Sequence, residues 1–274
     1  MPIQVDPRLI YDVGMHLGED TDFYLKKGFR VVAIEAMQEF CQRVAERFAV
    51  QVANGQLRII HCAISAQAGP VSFYLNEKKS VWGTADAAFA ALRSAQGAAV
   101  QRVEVPGLPF ADIVREQGMP YFLKIDIEGA DRQCLEGLRG FEARPRLVSI
   151  EAEILSWPLL VQDFQTLTEL GYDRFKVVQQ LTVRRQRCPN PPREGLYVDH
   201  RFPKGASGTF GEEAPGNWLS AAQALARFRP IYRNRRWFGS GGYLAPGRLS
   251  QLLVRDILQI RPGWHDIQAR LRSA

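Results

Sequence analysis

Short apolar runs, each closing on a carboxylate or a glycine, recur along the first two thirds of the chain and alternate with segments of helical apolar spacing. Leu9 to Val13 turns at Gly14 and passes into an amphipathic segment carrying Phe23, Tyr24 and Leu25, which reads as strand, tight turn and helix. Arg30 to Ile34 is a second strand, ending in Glu35. Met37 to Ala53 sets Phe40, Cys41, Val44, Phe48 and Val52 on one helical face and stops at Asn54-Gly55. Leu57 to Ile64 reads as a third strand, and Gly69-Pro70 turns the chain into the alternating strand Val71 to Leu75. Lys78 to Thr84 is expected to be a loop, with Trp82 either a pocket wall or a packing residue, followed by an alanine-rich helix up to residue 98.

The alternation then continues. Gln101 to Val105 is a strand and Phe110 to Glu116 a helix closed by Gly118. Tyr121 to Ile125 runs into Asp126, Glu128 and Gly129, and the helix Asp131 to Leu138 follows. Arg146 to Ile150 is an apolar strand ending in Glu151 and Glu153. A helix over 159–170 and a strand over 174–180 complete an α/β pattern, which predicts a doubly wound, mostly parallel sheet. Beyond Val183 the texture is loop-rich, with Pro189, Pro191, Pro192, Gly205, Gly208, Gly211, Pro215 and Gly216. Leu219 to Phe228 and Leu249 to Ile260 are its expected helices.

Charge sharpens that boundary. Residues 1–180 hold 19 Lys+Arg against 23 Asp+Glu, and residues 181–274 hold 16 against 6. Residues 1–180 are therefore expected to form the catalytic domain, and 181–274 a basic lid or substrate-binding appendage. Arg227, Arg229, Arg233, Arg235 and Arg236 in that segment suit an acceptor bearing phosphate or carboxylate, or are a solvated surface. An apolar content of 46% with 23% charged residues is that of a soluble globular protein, and no run approaches the roughly 18 apolar residues of a membrane span. The start Met1-Pro2-Ile3-Gln4-Val5-Asp6 lacks a signal-peptide pattern. The four cysteines are scattered without a Cys-x-x-Cys spacing, so reduced thiols and a cytoplasmic location are expected.

The candidate chemistry sits where strands end. In a doubly wound sheet the carboxyl ends of the strands converge on the ligand crevice, and an acid at the tip of the second strand meets ribose hydroxyls, the place of Glu35. Gly14 and Gly18 lie where a side chain would obstruct a ligand approaching the backbone. A dinucleotide loop would carry a middle glycine where His16 stands, and Asp12 would repel a pyrophosphate. Asp12 suits a ligand with an ammonium group and no phosphate, such as S-adenosylmethionine. Asp12, Asp126 and Glu151 each close a strand, which brings carboxylates to one cleft.

At these residues the sequence resembles the FkbM family of S-adenosylmethionine-dependent methyltransferases. Asp12-Val-Gly-Met-His-Leu-Gly-Glu-Asp-Thr21 is similar to that family's cofactor loop, and Leu123-Lys-Ile-Asp-Ile-Glu-Gly-Ala-Asp131 to its second signature, with Ser149-Ile-Glu151 following. Gly208-Thr-Phe-Gly-Glu-Glu213 and Gly263-Trp-His-Asp-Ile-Gln-Ala269 resemble a subgroup of it. The resemblance implies the class I methyltransferase sheet, with an antiparallel last strand, and O-methylation of a hydroxyl on a sugar, glycolipid or secondary metabolite. The chain has no Asn-Pro-Pro-Tyr-like turn, so base amines, and with them nucleic-acid partners, are disfavoured. Asp12 and Gly14 would orient the methionine portion and Glu35 the ribose, with His16 and Gly18 also in the cofactor site. Ala36, Cys62, Ala63 and Ile64 would flank adenine. Asp126, which would also border the cofactor, is the first choice for the base, with Glu128, Glu151 and His16 behind it. The carboxylates could instead hold Mg²⁺, but Lys124 can neutralise one of them, and direct base catalysis is preferred. A catalytically silent cofactor-fold binding protein and a nicotinamide-dependent oxidoreductase are the alternative readings.

Overall fold

A computed structural model describes residues 3–76, 100–127, 129–238 and 263–272. The loop with Trp82, the alanine-rich helix, Glu128 and the helix expected over Leu249 to Ile260 lie outside the described residues. In chain order the strands are β1 (Val5–Val13), β2 (Arg30–Glu35), β3 (Leu57–His61), β4 (Ala63–Ile64), β5 (Gly69–Asn76), β6 (Val100–Leu108), β7 (Met119–Ile125), β8 (Leu147–Glu151), β9 (Tyr172–Gln179) and β10 (His265–Leu271). The helices are α1 (Glu19–Lys26), α2 (Gln38–Arg47), α3 (Ala49–Ala53), α4 (Phe110–Gln117), α5 (Asp131–Leu138), α6 (Trp157–Glu169) and α7 (Ala221–Phe238).

The main sheet runs β3-β2-β1-β7-β8-β10-β9, and β10 is antiparallel to both its neighbours. Near-continuous apolar runs form its central strands because both faces are covered. One face buries Tyr11, Val13, Leu123, Ile125, Val148, Ile150, Ile267 and Ala269 beneath α4, α5, α6 and α7. The other buries Ile10, Ala33, Phe122 and Leu147 beneath α1, α2 and part of the chain after β9. The order is that of the expected class I methyltransferase sheet, reversed strand included.

Several expected elements take different bounds. The single strand read over Leu57 to Ile64 is divided at Cys62: β3 completes the main sheet, and β4 joins β6 and β5 in a smaller one. The helix read over Met37 to Ala53 breaks at Phe48, whose buried ring packs under the turn after β1. The helix expected from Leu219 starts at Ala221 and runs on to Phe238, because Leu219 exchanges two backbone hydrogen bonds with Phe175 of β9.

Part of the stretch read as a lid or substrate-binding appendage is built into the main sheet. It lines the sheet and returns a strand to it. Asp12, Lys124, Ser149, Gln268 and Lys176 occupy one register row across β1, β7, β8, β10 and β9, and all five are buried. Loop backbone laid over this row finds partners: Lys176 Nζ donates to the carbonyls of Gly211 (2.9 Å) and Ala214 (2.7 Å), and Gln268 Oε1 accepts from the Gly211 N–H (3.0 Å). Asp20 of α1 accepts from the Ser207 N–H at 2.8 Å. Phe210 stacks on Phe122 at 4.5 Å. A loop-rich segment can be buried when its polar backbone is satisfied in this way.

Candidate active site

The turn between β1 and α1 is built from the strand ends beneath it. The N–H groups of Gly14 and Met15 both donate to the Ile34 carbonyl, at 2.9 and 3.2 Å. Gly14 has φ +83°, and a Cβ there would stand 2.0 Å from the Asp126 carbonyl oxygen. Glycine is thus required by the close crossing of the turn over the end of β7. Gly18, at φ +78°, faces the Phe48 ring in the same manner. His16 adopts φ +51° where a middle glycine would stand, its ring edge-on to Phe40 and its Nδ1 3.2 Å from Glu19.

Glu35 closes the turn from the other side. One carboxylate oxygen accepts the His16 N–H and the other the Met37 N–H, both at 2.9 Å. Burial raises its pKa, and these two hydrogen bonds counter the shift. A carboxylate offers about four acceptor positions, so roughly two remain for a ligand. Next to it, Ala36 and Ala63 pack with Phe73 and Val105 of the smaller sheet, whereas the Cys62 and Ile64 side chains belong to the main core. Burial pushes the Cys62 thiol up to about 12.

Asp12 is fully buried and accepts from Thr21 Oγ1 at 2.7 Å, with its other oxygen 3.2 Å from Lys124 Nζ. Its partners inside the protein are thus a hydroxyl and an ammonium group. Lys124 also lies 3.6 Å from Asp126 and 3.7 Å from Asp20, and it donates to the Gly14 carbonyl at 3.2 Å. Burial alone would depress the Lys124 pKa, but Asp12, Asp126 and Asp20 outweigh it and hold it well above the usual value. Asp126 is the member of this group that opens outward, with 44% of its side chain exposed. Glu151, half-buried at the end of β8, stands one strand further on. Burial lifts the pKa of Asp20 to about 6, and burial together with Asp126 lifts that of Asp131 to about 7.

The structure therefore brings Gly14, His16, Gly18, Glu35, Asp126 and Glu151 to one edge and sets Asp12 beneath it. Sequence reasoning missed Asp20 and Asp266. Asp20 carried a weak signal, since it lies within the turn motif. Asp266 lies in the family-like segment Gly263 to Ala269, but its place at the edge was not legible, because an antiparallel strand more than a hundred residues away delivers it there. Among the described residues no group of three or more His, Cys, Asp or Glu is placed to hold a metal ion. A lysine occupies the middle of the carboxylates instead.

The arginine-rich helix borders the same edge. Burial, then Arg235 and Arg227, lower the pKa of His265, whose carbonyl accepts the Ala152 N–H just past Glu151. A cavity of about 440 Å³ lies against Tyr232, Arg233, Arg236 and Trp237 of α7. Tyr232 meets Trp157 at 5.6 Å between ring centres, and Arg229 lies 6.0 Å from the same ring.

Comparison with known proteins gives one family match, to the model described as the methyltransferase FkbM domain, over residues 12–173. No curated protein matches the chain. Among solved structures, an S-adenosylmethionine-dependent methyltransferase from Geobacter sulfurreducens in complex with S-adenosyl-L-homocysteine is 13% identical. The match covers 99% of this chain and 86% of that one, with a TM-score of 0.35. A counterpart from Thiobacillus denitrificans, also with S-adenosyl-L-homocysteine, is 12% identical over 98% and 87% of the two chains, with a TM-score of 0.34. An S-adenosylmethionine-dependent methyltransferase from Archaeoglobus fulgidus is 11% identical over 96% and 86%, with a TM-score of 0.37. At such scores the architecture rests on the strand order itself. No described helix is long and apolar enough to cross a membrane.

Proposed function

The chain belongs to the FkbM methyltransferase family, and from that premise we propose that this S-adenosylmethionine-dependent methyltransferase acts on a hydroxyl of a sugar, glycolipid or secondary metabolite. The observation that carries the site assignment is the Glu35 latch: a buried carboxylate at the tip of β2, tied to the turn by His16 and to the next helix by Met37, with acceptor capacity left over. The two remaining positions suit the ribose hydroxyls. The turn residues Gly14 to Gly18 hold the methionine portion through backbone groups, and Ala36 and Ala63 offer an apolar wall to adenine. When bound, the cofactor supplies an electrophilic methyl group.

The chain's own contribution is position and proton removal. An acceptor oxygen must be held in line at about 3–3.5 Å from that methyl. Asp126, exposed at the end of β7 and steadied by Lys124, is proposed as the base that takes the hydroxyl proton, with Glu151 beside it. Glu128 stays a candidate by sequence alone. The guanidinium groups of Arg227, Arg229, Arg233, Arg235 and Arg236 suit an acceptor bearing phosphate or carboxylate.

Calorimetric titration tests the cofactor reading. S-adenosylmethionine is expected to bind and NAD is not. Hydrogen bonds to a charged group contribute about 1.5–3 kcal/mol. Glu35→Ala is therefore expected to weaken binding by roughly tenfold to a hundredfold, at about 1.4 kcal/mol per decade. Unchanged affinity in a folded variant removes Glu35 from the site. Once an acceptor is in hand, turnover is expected to survive EDTA and to fall by about 10²–10⁴ in Asp126→Asn. Loss on chelation with recovery on adding Mg²⁺ would put a metal in place of the direct base.

A further inference from the structure

Asp266 is a buried carboxyl at the cleft to which the cofactor reading gives no role. Because β10 runs against its neighbours, its first residues arrive where β7 and β8 end. One step past the Ile125–Ile150 pair come Asp126 and Glu151, and Asp266 stands directly opposite Glu151. Asp266 shares a sheet face with Gln268, whose row continues through Ser149 to Lys124. It is only 8% exposed, and the Gln180 side-chain amide donates to it.

Among the described residues carboxylates outnumber the cations around it. Asp126 and Lys124 face it from β7, Asp20 from α1 and Asp131 from the start of α5. Glu151 lies opposite on β8, while Arg227 and Arg235 of α7 act on the adjacent His265. Among the described residues one ammonium group thus lies among Asp12, Asp20, Asp126, Asp131 and Asp266. Asp12 Oδ1 is buried without a hydrogen bond, with only that ammonium group 3.2 Å away. Burial, reinforced by Asp126 and eased by Lys124, pushes the Asp266 carboxyl well above the usual range.

We propose that Asp266 balances the charge of the cofactor: it holds a proton in the ligand-free protein, releases it when the sulfonium binds, and recovers one when the methyl group leaves. This rests on the S-adenosylmethionine reading above. In the transfer the acceptor O–H bond breaks, the oxygen forms the O–CH₃ bond, and the S–CH₃ electron pair stays on sulfur. One positive charge is lost from sulfur and one proton is freed. That proton, taken first by Asp126, ends on Asp266, so the cleft's net charge is the same with substrate and with product.

The test uses the whole protein and two ligands, S-adenosylmethionine and S-adenosyl-L-homocysteine. Each is titrated calorimetrically near pH 7 in phosphate and in Tris, buffers of different ionisation enthalpy. The sulfonium ligand is expected to release up to one proton more than the sulfide. Asp266→Asn should still bind both and lose that difference, whereas Asp131→Asn should keep it. Equal release in the natural protein, or a difference that survives in Asp266→Asn, overturns the proposal. If Asp266→Asn does not fold, the natural protein still decides. Its preference for the sulfonium ligand should rise by up to about tenfold per pH unit between pH 6 and 8. A flat preference overturns the proposal. Failure of either ligand to bind instead defeats the cofactor reading, and the proposal falls with it.

Discussion

Lys124→Met is expected to lower the folding stability by about 3–5 kcal/mol, the cost of removing one partner from a buried ion pair. Methionine fills nearly the same volume, so the loss reports charge rather than packing. Without the ammonium group, Asp12 keeps only its bond from Thr21, Asp20 keeps its bond from Ser207, and the Gly14 carbonyl loses a donor. The sign of the pH dependence follows from the shifts. Lys124 is held above its unfolded pKa, so its contribution is fully present below that value and is constant between pH 5 and 8. Asp20 is already raised to about 6, and losing Lys124 raises it further. A raised carboxyl favours the folded state below its unfolded pKa, and that advantage fades as pH climbs through the folded one. The deficit of Lys124→Met should therefore be largest at pH 8 and smaller at pH 5. Urea midpoints at both pH values measure it. A deficit below 1 kcal/mol, or one of equal size at both pH values, would show that the carboxylates do not depend on this lysine.

That cluster also marks the limit of what the chain shows on its own. The strand–turn–helix at Gly14 and the acid at the end of β2 were legible because both signals are local: a glycine needing positive φ, and a carboxylate closing an apolar run. The meaning of Asp12 was not legible. Its partner, Lys124, is brought beside it by parallel pairing of β1 with β7, and a register between strands so distant leaves no pattern in either segment. The break at Phe48 was hidden for a related reason, since its helical spacing is right and only the packing of its ring under Gly18 bends the backbone. β10 shows the opposite problem. Ile267 and Ala269 enter the core while Asp266 and Gln268 enter the polar row, so the segment alternates as a surface strand would, although both faces are buried. Composition misled most in the glycine- and proline-rich stretch after residue 183. Such chains usually run over the surface, but here side chains from the polar row satisfy the buried backbone.

Glu213→Ala should separate a wall from a lid. Glu213 and Lys27 form an ion pair whose side chains are both fully buried, with Lys27 Nζ donating to the two carboxylate oxygens at 2.8 and 3.0 Å. The same carboxylate accepts the N–H groups of Arg193 and Glu194, and the Lys27 carbonyl accepts the Leu196 N–H. The end of α1 is thereby fastened to three points of the chain that follows β9. Truncation leaves a buried ammonium group and the part-buried Glu194 N–H without this acceptor, and a loss of about 3–5 kcal/mol in global stability is expected. Lys27→Met/Glu213→Leu should recover part of it by removing both charges, while the Glu194 N–H still lacks this acceptor. If this segment were a lid that opens in the native state, the loss would appear elsewhere. Hydrogen exchange would then quicken over residues 193–214 alone, and the global denaturation midpoint would hold. A midpoint that falls together with protection in β1 and β7 identifies the segment as part of the core.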